Sequence, residues 1–371
     1  MTKKIALYLA GGGARGAYQA GVLKAIGEIV QTKTLPFSMV SGVSVGCVNA
    51  AILAQHADDF SVGIEKLIDL WSNIHCDHIF NTSNYQLGKS VIRNLSHFVV
   101  KQNGSGFLLD TTPLSTFIST HIDFDKIAEN IAENRLETME VIANCYETQQ
   151  TVSFYMHNSS IFEDWDYPRH ISQRTKLNKD HIIASAALPL FFPTINIEGH
   201  HYGDGSIGLI SPLRGALRSD VQKVMTIGTR QTPNATPQEK MGPDEVGFAQ
   251  VLGNMLNGLF LDNLDRDIET VNRMNEIAKL LSIWKKHKSP WRPIETIYLR
   301  PSSSMAIMAQ DHYQAMPSLL RVLLNFLGAK SHSGDLLSFL LFEKEFTMQL
   351  IETGYQDTIA NGKAITEFFN S

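Results

Sequence analysis

The run Gly42-Val43-Ser44-Val45-Gly46 follows a short apolar stretch and opens an Ala-rich one, so its serine falls where a buried strand would turn into a helix. In such an elbow the hydroxyl sits on a tight turn, and Gly42 and Gly46 let neighbouring backbone pass without a Cβ clash. The N-terminus of the following helix then faces any anion that develops. Ser44 is therefore a candidate nucleophile, against the plainer alternative of a small-residue turn in a parallel sheet. Upstream, Gly11-Gly12-Gly13-Ala14-Arg15-Gly16 follows the first apolar run and opens a helix, which points several backbone N–H groups at one spot beside a positive helix end. That cradle suits an oxyanion or a phosphate. Its Gly11-x-Gly13-x-x-Gly16 spacing also matches the dinucleotide fingerprint, which wants an acidic residue about twenty positions on, at the end of the second strand. Here the second strand ends in the serine elbow and Glu28 lies inside the first helix.

If the first two strands are parallel neighbours, the glycine loop and Ser44 stand side by side at the carboxyl edge of the sheet. A nucleophile then meets an oxyanion hole, with Arg15 as an orienting or charge-stabilising group. The hydroxyl also needs a base. His312 and His332 come late enough for a Ser-Asp-His order, but neither follows a convincing strand. Asp204, between Gly203 and Gly205 after a short apolar segment, is the better candidate, and a plain Asp-Gly turn is its competitor. Cys47 beside the elbow raises thiol chemistry, but no histidine is placed to activate it and a buried helix-start cysteine reads better. His200 and His201 lack a His-Glu-x-x-His pattern or a second cluster, and read as an exposed turn instead of metal ligands.

The elements that must hold these residues alternate between strand-like and helix-like periodicity, the signature of α/β architecture. Strands are expected at Ile5–Ala10, Met39–Val43, Met139–Tyr146, Val152–Met156, Lys223–Gly228 and Glu295–Arg300. Helices are expected at Gly16–Val30, Ser44–Gln55, Ile64–Ile74, Asp123–Asn134, Asp180–Ala187 and from about Val246 to Lys285. From Met316 onward, Leu319 to Leu327 and Leu336 to Phe342 surround helices with apolar side chains on either side of a polar turn at Gly328. They read as a helical hairpin buried against the main sheet, in preference to a lipid-facing lid.

With 43% apolar and 19% charged residues, the 371-residue chain has the composition of a globular protein and not of a disordered or fibrous one. Its 32 Lys+Arg against 37 Asp+Glu give a net charge of −5, so no global positive field recruits nucleic acid. Three cysteines without a close-spaced pair argue against a disulfide framework and fit a reducing compartment. Only six apolar residues follow Met1 to Lys4, too short for a secretory leader. Thr34 to Ala57 lacks charges but carries Pro36, Gly42, Gly46 and Asn49, which suits a strand, turn and helix better than a membrane span. A cytoplasmic location is expected. Trp284-Lys285-Lys286-His287-Lys288-Ser289-Pro290-Trp291-Arg292 reads first as a helix C-terminus whose lysines complement the dipole, and second as an anchor on anionic lipid.

Four separated blocks together resemble the patatin-like phospholipase family, lipid acyl hydrolases with a Ser-Asp dyad. Gly11 to Gly16 is similar to its oxyanion loop and Gly42 to Gly46 to its nucleophile elbow. Ala184-Ser185-Ala186-Ala187-Leu188-Pro189-Leu190-Phe191-Phe192-Pro193 is similar to the Ala-Ser-x-x-x-Pro block ahead of the base, and Asp204-Gly205-Ser206 to its Asp-Gly-Gly/Ala motif. The likeness covers roughly residues 5–215. Ser206 departs from the usual Gly or Ala, and Cys47 from a common Ala. The resemblance implies a three-layer α/β/α fold with a mainly parallel sheet, a catalytic domain over 1–300 and a C-terminal helical extension over 301–371. It also implies a serine lipid acyl hydrolase in which Asp204 takes the Ser44 proton, Gly11, Gly12 and Gly13 hold the oxyanion, and no metal or organic cofactor is required. Peripheral membrane contact is expected only because lipid ester substrates reside there, and oligomeric state is unreadable. The alternative from another class is a catalytically silent lipid- or protein-binding module on the same scaffold. A third, nucleotide binding through Gly11–Gly16, would show as thermal stabilisation by NAD or ATP.

Overall fold

A computed structural model describes residues 3–82, 107–231, 248–280, 292–326 and 334–371. His332, Gly328 and the stretch from Trp284 to Trp291 lie outside the described residues. Strands β1 (Ile5–Leu9), β2 (Met39–Val43), β3 (Thr138–Cys145), β9 (Lys223–Ile227) and β10 (Glu295–Leu299) run parallel in the order β10-β9-β1-β2-β3. Beyond β3 the sheet turns mixed. β4 (Gln150–His157) is antiparallel to β3, β6 (His170–Arg174) parallel to β4, and the short β5 (Asp166–Tyr167) closes the edge. A hairpin of β7 (Ile195–Ile197) and β8 (His200–Asp204) returns to pair antiparallel with the end of β3.

Strand β1 shows why this is a three-layer fold. Its residues alternate between two cores: Ile5, Leu7 and Leu9 face one, Ala6 and Tyr8 the other. A strand apolar on both faces needs helices on both sides. The first core is covered by α1 (Ala17–Val30), α2 (Val45–Gln55) and α3 (Phe60–Ser72). The second is covered by the short helix Arg214–Arg218 and the long helix Phe248–Leu280. Helix α3 starts four residues before the expected Ile64, because the Asp59 carboxylate accepts from the Val62 N–H and caps it there.

The C-terminal helices wrap the first layer. Helix Lys344–Ala360 crosses α1 where Gly21 and Gly354 each leave room for a backbone carbonyl of the other helix, those of Ile351 and Tyr18. Helix Gly334–Leu340 is buried, as the hairpin reading expects, and packs on the Gly13–Gly16 turn and on helices Phe248–Leu280 and Met305–Asp311. Among the described residues no helix is long and apolar enough to cross a membrane.

Candidate active site

Register brings the elbow and the carboxylate together. β2 covers β3 only as far as Val43, opposite Ile142. β8 then takes over the same edge, with Asp204 opposite Ala143. The ends of two strands meet on neighbouring residues of β3, one continuing into Ser44 and the other finishing on Asp204. Ser44 has φ 55° and ψ −130°, a conformation that costs a non-glycine residue about 1–3 kcal/mol and persists only where surroundings enforce it. The enforcement is visible. Ser44 N–H donates to Ser185 Oγ (2.9 Å), whose hydroxyl donates to the Ile142 carbonyl (2.6 Å), and Asp204 N–H donates to the Ala187 carbonyl (3.1 Å). The segment that precedes β7 thus braces both Ser44 and Asp204.

The Asp204 side chain is wholly buried. Its Oδ1 accepts from Ser206 N–H at 2.9 Å, while Oδ2 accepts no hydrogen bond of standard geometry. The Ser44 hydroxyl is close enough to draw the carboxyl pKa down, as Ser206 does, yet burial outweighs both and pushes it up to about 6. A carboxylate so placed is a base poised near neutrality.

The glycine loop lies at the end of β1, beside the elbow, since β1 and β2 pair in parallel with Leu9 opposite Gly42. Gly13 adopts φ 57°, and a Cβ there would lie 2.1 Å from the Phe339 carbonyl oxygen, so only glycine fits. Gly46 is equally constrained, since a side chain would meet the Leu9 carbonyl oxygen at 2.1 Å. Gly42 abuts the first turn of α2, and Gly205 abuts the Ile142 carbonyl. The loop's carbonyls are drawn away from the elbow. Thr229 Oγ1 donates to Gly11 O (2.5 Å), Gln19 Nε2 to Ala10 O (2.8 Å) and Asn49 Nδ2 to Gly16 O (3.1 Å), and the Trp71 indole N–H secures Asn49 Oδ1 (2.9 Å). The Gly12 and Gly13 N–H groups have no acceptor among the described residues.

Arg15 turns away from this centre. Its buried guanidinium donates to Ser338 Oγ (2.9 Å), Asn257 Oδ1 (3.1 Å) and Asp335, and stacks 4.2 Å from the Phe339 ring centroid. Burial lowers its pKa to about 10, partly offset by Asp335. Its contacts fasten helix Gly334–Leu340 over the loop.

Ser44 and Gly13 open into an apolar slot of about 50 Å³ walled by Val48, Trp71, Phe117, Leu188, Phe339 and Phe342. A hydroxyl at the end of an apolar slot suits a ligand with a hydrocarbon arm.

Other sequence candidates lie elsewhere. Cys47 donates its S–H to the Ser44 carbonyl (2.8 Å), and burial pushes its thiol up to about 12, so little thiolate forms. His312 bonds Gln349 at 2.8 Å. His200 and His201 stand in strand β8 and not in a turn, because the β7–β8 hairpin extends the sheet to them. Sequence reasoning missed Gln19, Asn49 and Thr229. The first two left a signal, each being an amide flanked on both sides by apolar or small residues within a helix.

An Escherichia coli protein, the uncharacterized protein YjjU, is 25% identical over 228 residues, covering 61% of this chain and 52% of that protein, so the chain spans about half the length of the curated relative it matches. The crystal structure of VipD from Legionella pneumophila is similar over 98% of this chain and 67% of its own, with a TM-score of 0.40 and 12% identity. A family model, patatin-like phospholipase, matches residues 7–217, more than half of the 371 and the span that holds the loop, the elbow and the buried aspartate. The chain belongs to the patatin-like phospholipase family.

Proposed function

We propose that this protein is a serine lipid acyl hydrolase of the phospholipase A or lysophospholipase type, working through a Ser44–Asp204 dyad. The observation that carries the reading is the strained Ser44 elbow, at the end of an apolar slot, beside the buried Asp204 carboxyl whose pKa is pushed up to about 6. Asp204 accepts the Ser44 proton as Oγ attacks the ester carbonyl. The oxyanion then takes hydrogen bonds from the Gly11–Gly13 loop, whose glycines allow the carbonyl to come close. Collapse expels the alcohol or lysolipid, protonated by the Asp204 carboxylic acid, and leaves Ser44 acylated. Water, deprotonated by Asp204, releases the fatty acid. Ser185 and Arg15 act as positioning residues, the first through the elbow backbone and the second through the helix over the loop.

Intact-mass labelling with a fluorophosphonate at neutral pH tests this without a guess about the lipid. A single adduct is expected on the wild type, absent in Ser44→Ala and sharply slowed in Asp204→Asn. A folded wild-type protein that stays unlabelled would favour a silent binding module.

A further inference from the structure

The two histidines at the start of β8 gain partners that are remote in sequence. β3 ends at Cys145, opposite Tyr202, and the following turn carries Glu147, 54 positions before His201. Glu147 is held in place: its Oε1 accepts from the His201 ring at 2.8 Å, and its Oε2 from the His201 backbone N–H at 3.0 Å. Oε2 lies 3.5 Å from the Cys145 sulfur, and that sulfur, a Glu147 carboxylate oxygen and a ring nitrogen of His200 all fall within 4.8 Å of one another. A tetrahedral zinc-type site, with bonds of about 2.0–2.3 Å, holds its ligand atoms about 3.3–3.8 Å apart. The sulfur–carboxylate edge already has that length, and His200, which is exposed, needs to move only about 1 Å to complete the face. Cys145 and His200 border a cavity of about 300 Å³ that Glu198 and Tyr202 also line, which leaves room for a fourth ligand.

We propose that Cys145, Glu147 and His200 bind a borderline-soft divalent cation of the zinc class, with water in the fourth position. Thiolate and imidazole select zinc-like ions over magnesium or calcium, which prefer all-oxygen sites. Binding releases the Cys145 thiol proton to solvent. The cation clips the first residue of β8 to the last residue of β3, and β8 ends on Asp204, so it stiffens the strand that carries the carboxylate. None of this depends on Ser44 being reactive.

The test is cobalt(II) titration of the reduced full-length protein. Expected is a near-ultraviolet thiolate-to-cobalt band that saturates at one-to-one stoichiometry, is displaced by zinc and is untouched by magnesium. Cys145→Ser should abolish the band and Cys76→Ser should keep it. His200→Ala, at an exposed position that leaves folding intact, should weaken cobalt affinity by at least about 10–100-fold, and zinc should raise Tm in the wild type but not in this variant. A wild type without the band, a band that survives Cys145→Ser, or unchanged affinity in His200→Ala overturns the proposal.

Discussion

In the proposed mechanism, Asp204 is where catalysis and stability pull apart. A carboxyl whose pKa stands near 6 in the folded chain, against 3.8 ordinarily, releases its proton more readily when unfolded. Its ionisation therefore costs folding stability progressively between pH ~4 and ~6, on the order of 3 kcal/mol, and the cost stays constant above. A side-chain amide at this position cannot ionise. Asp204→Asn is expected to lower kcat/KM by about 10²–10⁴ while making the protein more stable than wild type at pH 7, the two converging near pH 4. Denaturant melts at both pH values check this, and a variant no more stable at pH 7 would place the charge in a less desolvated setting. The same carboxyl fixes the sign of the pH profile. It is useful only as the anion, so kcat/KM should climb about tenfold per pH unit below the apparent pKa and level off above about 6. A profile that falls as pH rises through 6 would mean that another group sets the rate.

At the scale of elements, the decisive event is that β2 stops at Val43 and β8 resumes its edge of β3 at Asp204. Ser185 locks the junction with one accepted and one donated hydrogen bond. Ser185→Ala should cost about 1–3 kcal/mol in stability and lower kcat about 10-fold or more, with the pH midpoint unmoved because Asp204 keeps its own surroundings. A shifted midpoint would make Ser185 part of the proton path. The parallel strands were legible in the sequence because each is a short run in which apolar residues predominate, and Met39–Val43 has the bounds its pattern predicts. β8 was not legible: His200-His201-Tyr202-Gly203-Asp204 has no apolar alternation, and its strand character comes from β3 and β7, partners remote in the chain. Ser44, Asp204 and the glycines could be picked out by type and spacing, since a turn imposes local rules. The destination of Arg15 could not, because Asn257 and Ser338 lie 242 and 323 positions away and nothing local encodes a pairing at that range.

For the whole molecule, the consequence of that pairing is a slot built from both ends of the chain, with Gly13 and Trp71 on one side and Phe339 and Phe342 on the other. Its room, about 50 Å³, holds a few water-sized groups at about 10–15 Å³ each, which matches a short acyl stub and not a fatty chain. Under the proposed function, a long-chain ester needs more room than this slot offers, and Phe339 and Phe342 are among the walls that limit it. Phe342 is the wall best removed: it stacks on Trp71 with ring centroids 6.5 Å apart and makes none of the hydrogen bonds that hold the loop or the elbow. Phe342→Ala should destabilise the fold by about 3–5 kcal/mol through the cavity it leaves. In return it opens the slot to chain length. With each buried methylene contributing about 0.8 kcal/mol, two further methylenes that become accommodated are worth about tenfold, so kcat/KM for p-nitrophenyl octanoate should rise about tenfold relative to the butyrate. The ratio is measured below the melting transition of the variant, where both esters meet the same folded population and loss of stability cancels. An unchanged ratio would show that the acyl arm leaves Ser44 by another route, and that the aromatic wall serves packing alone.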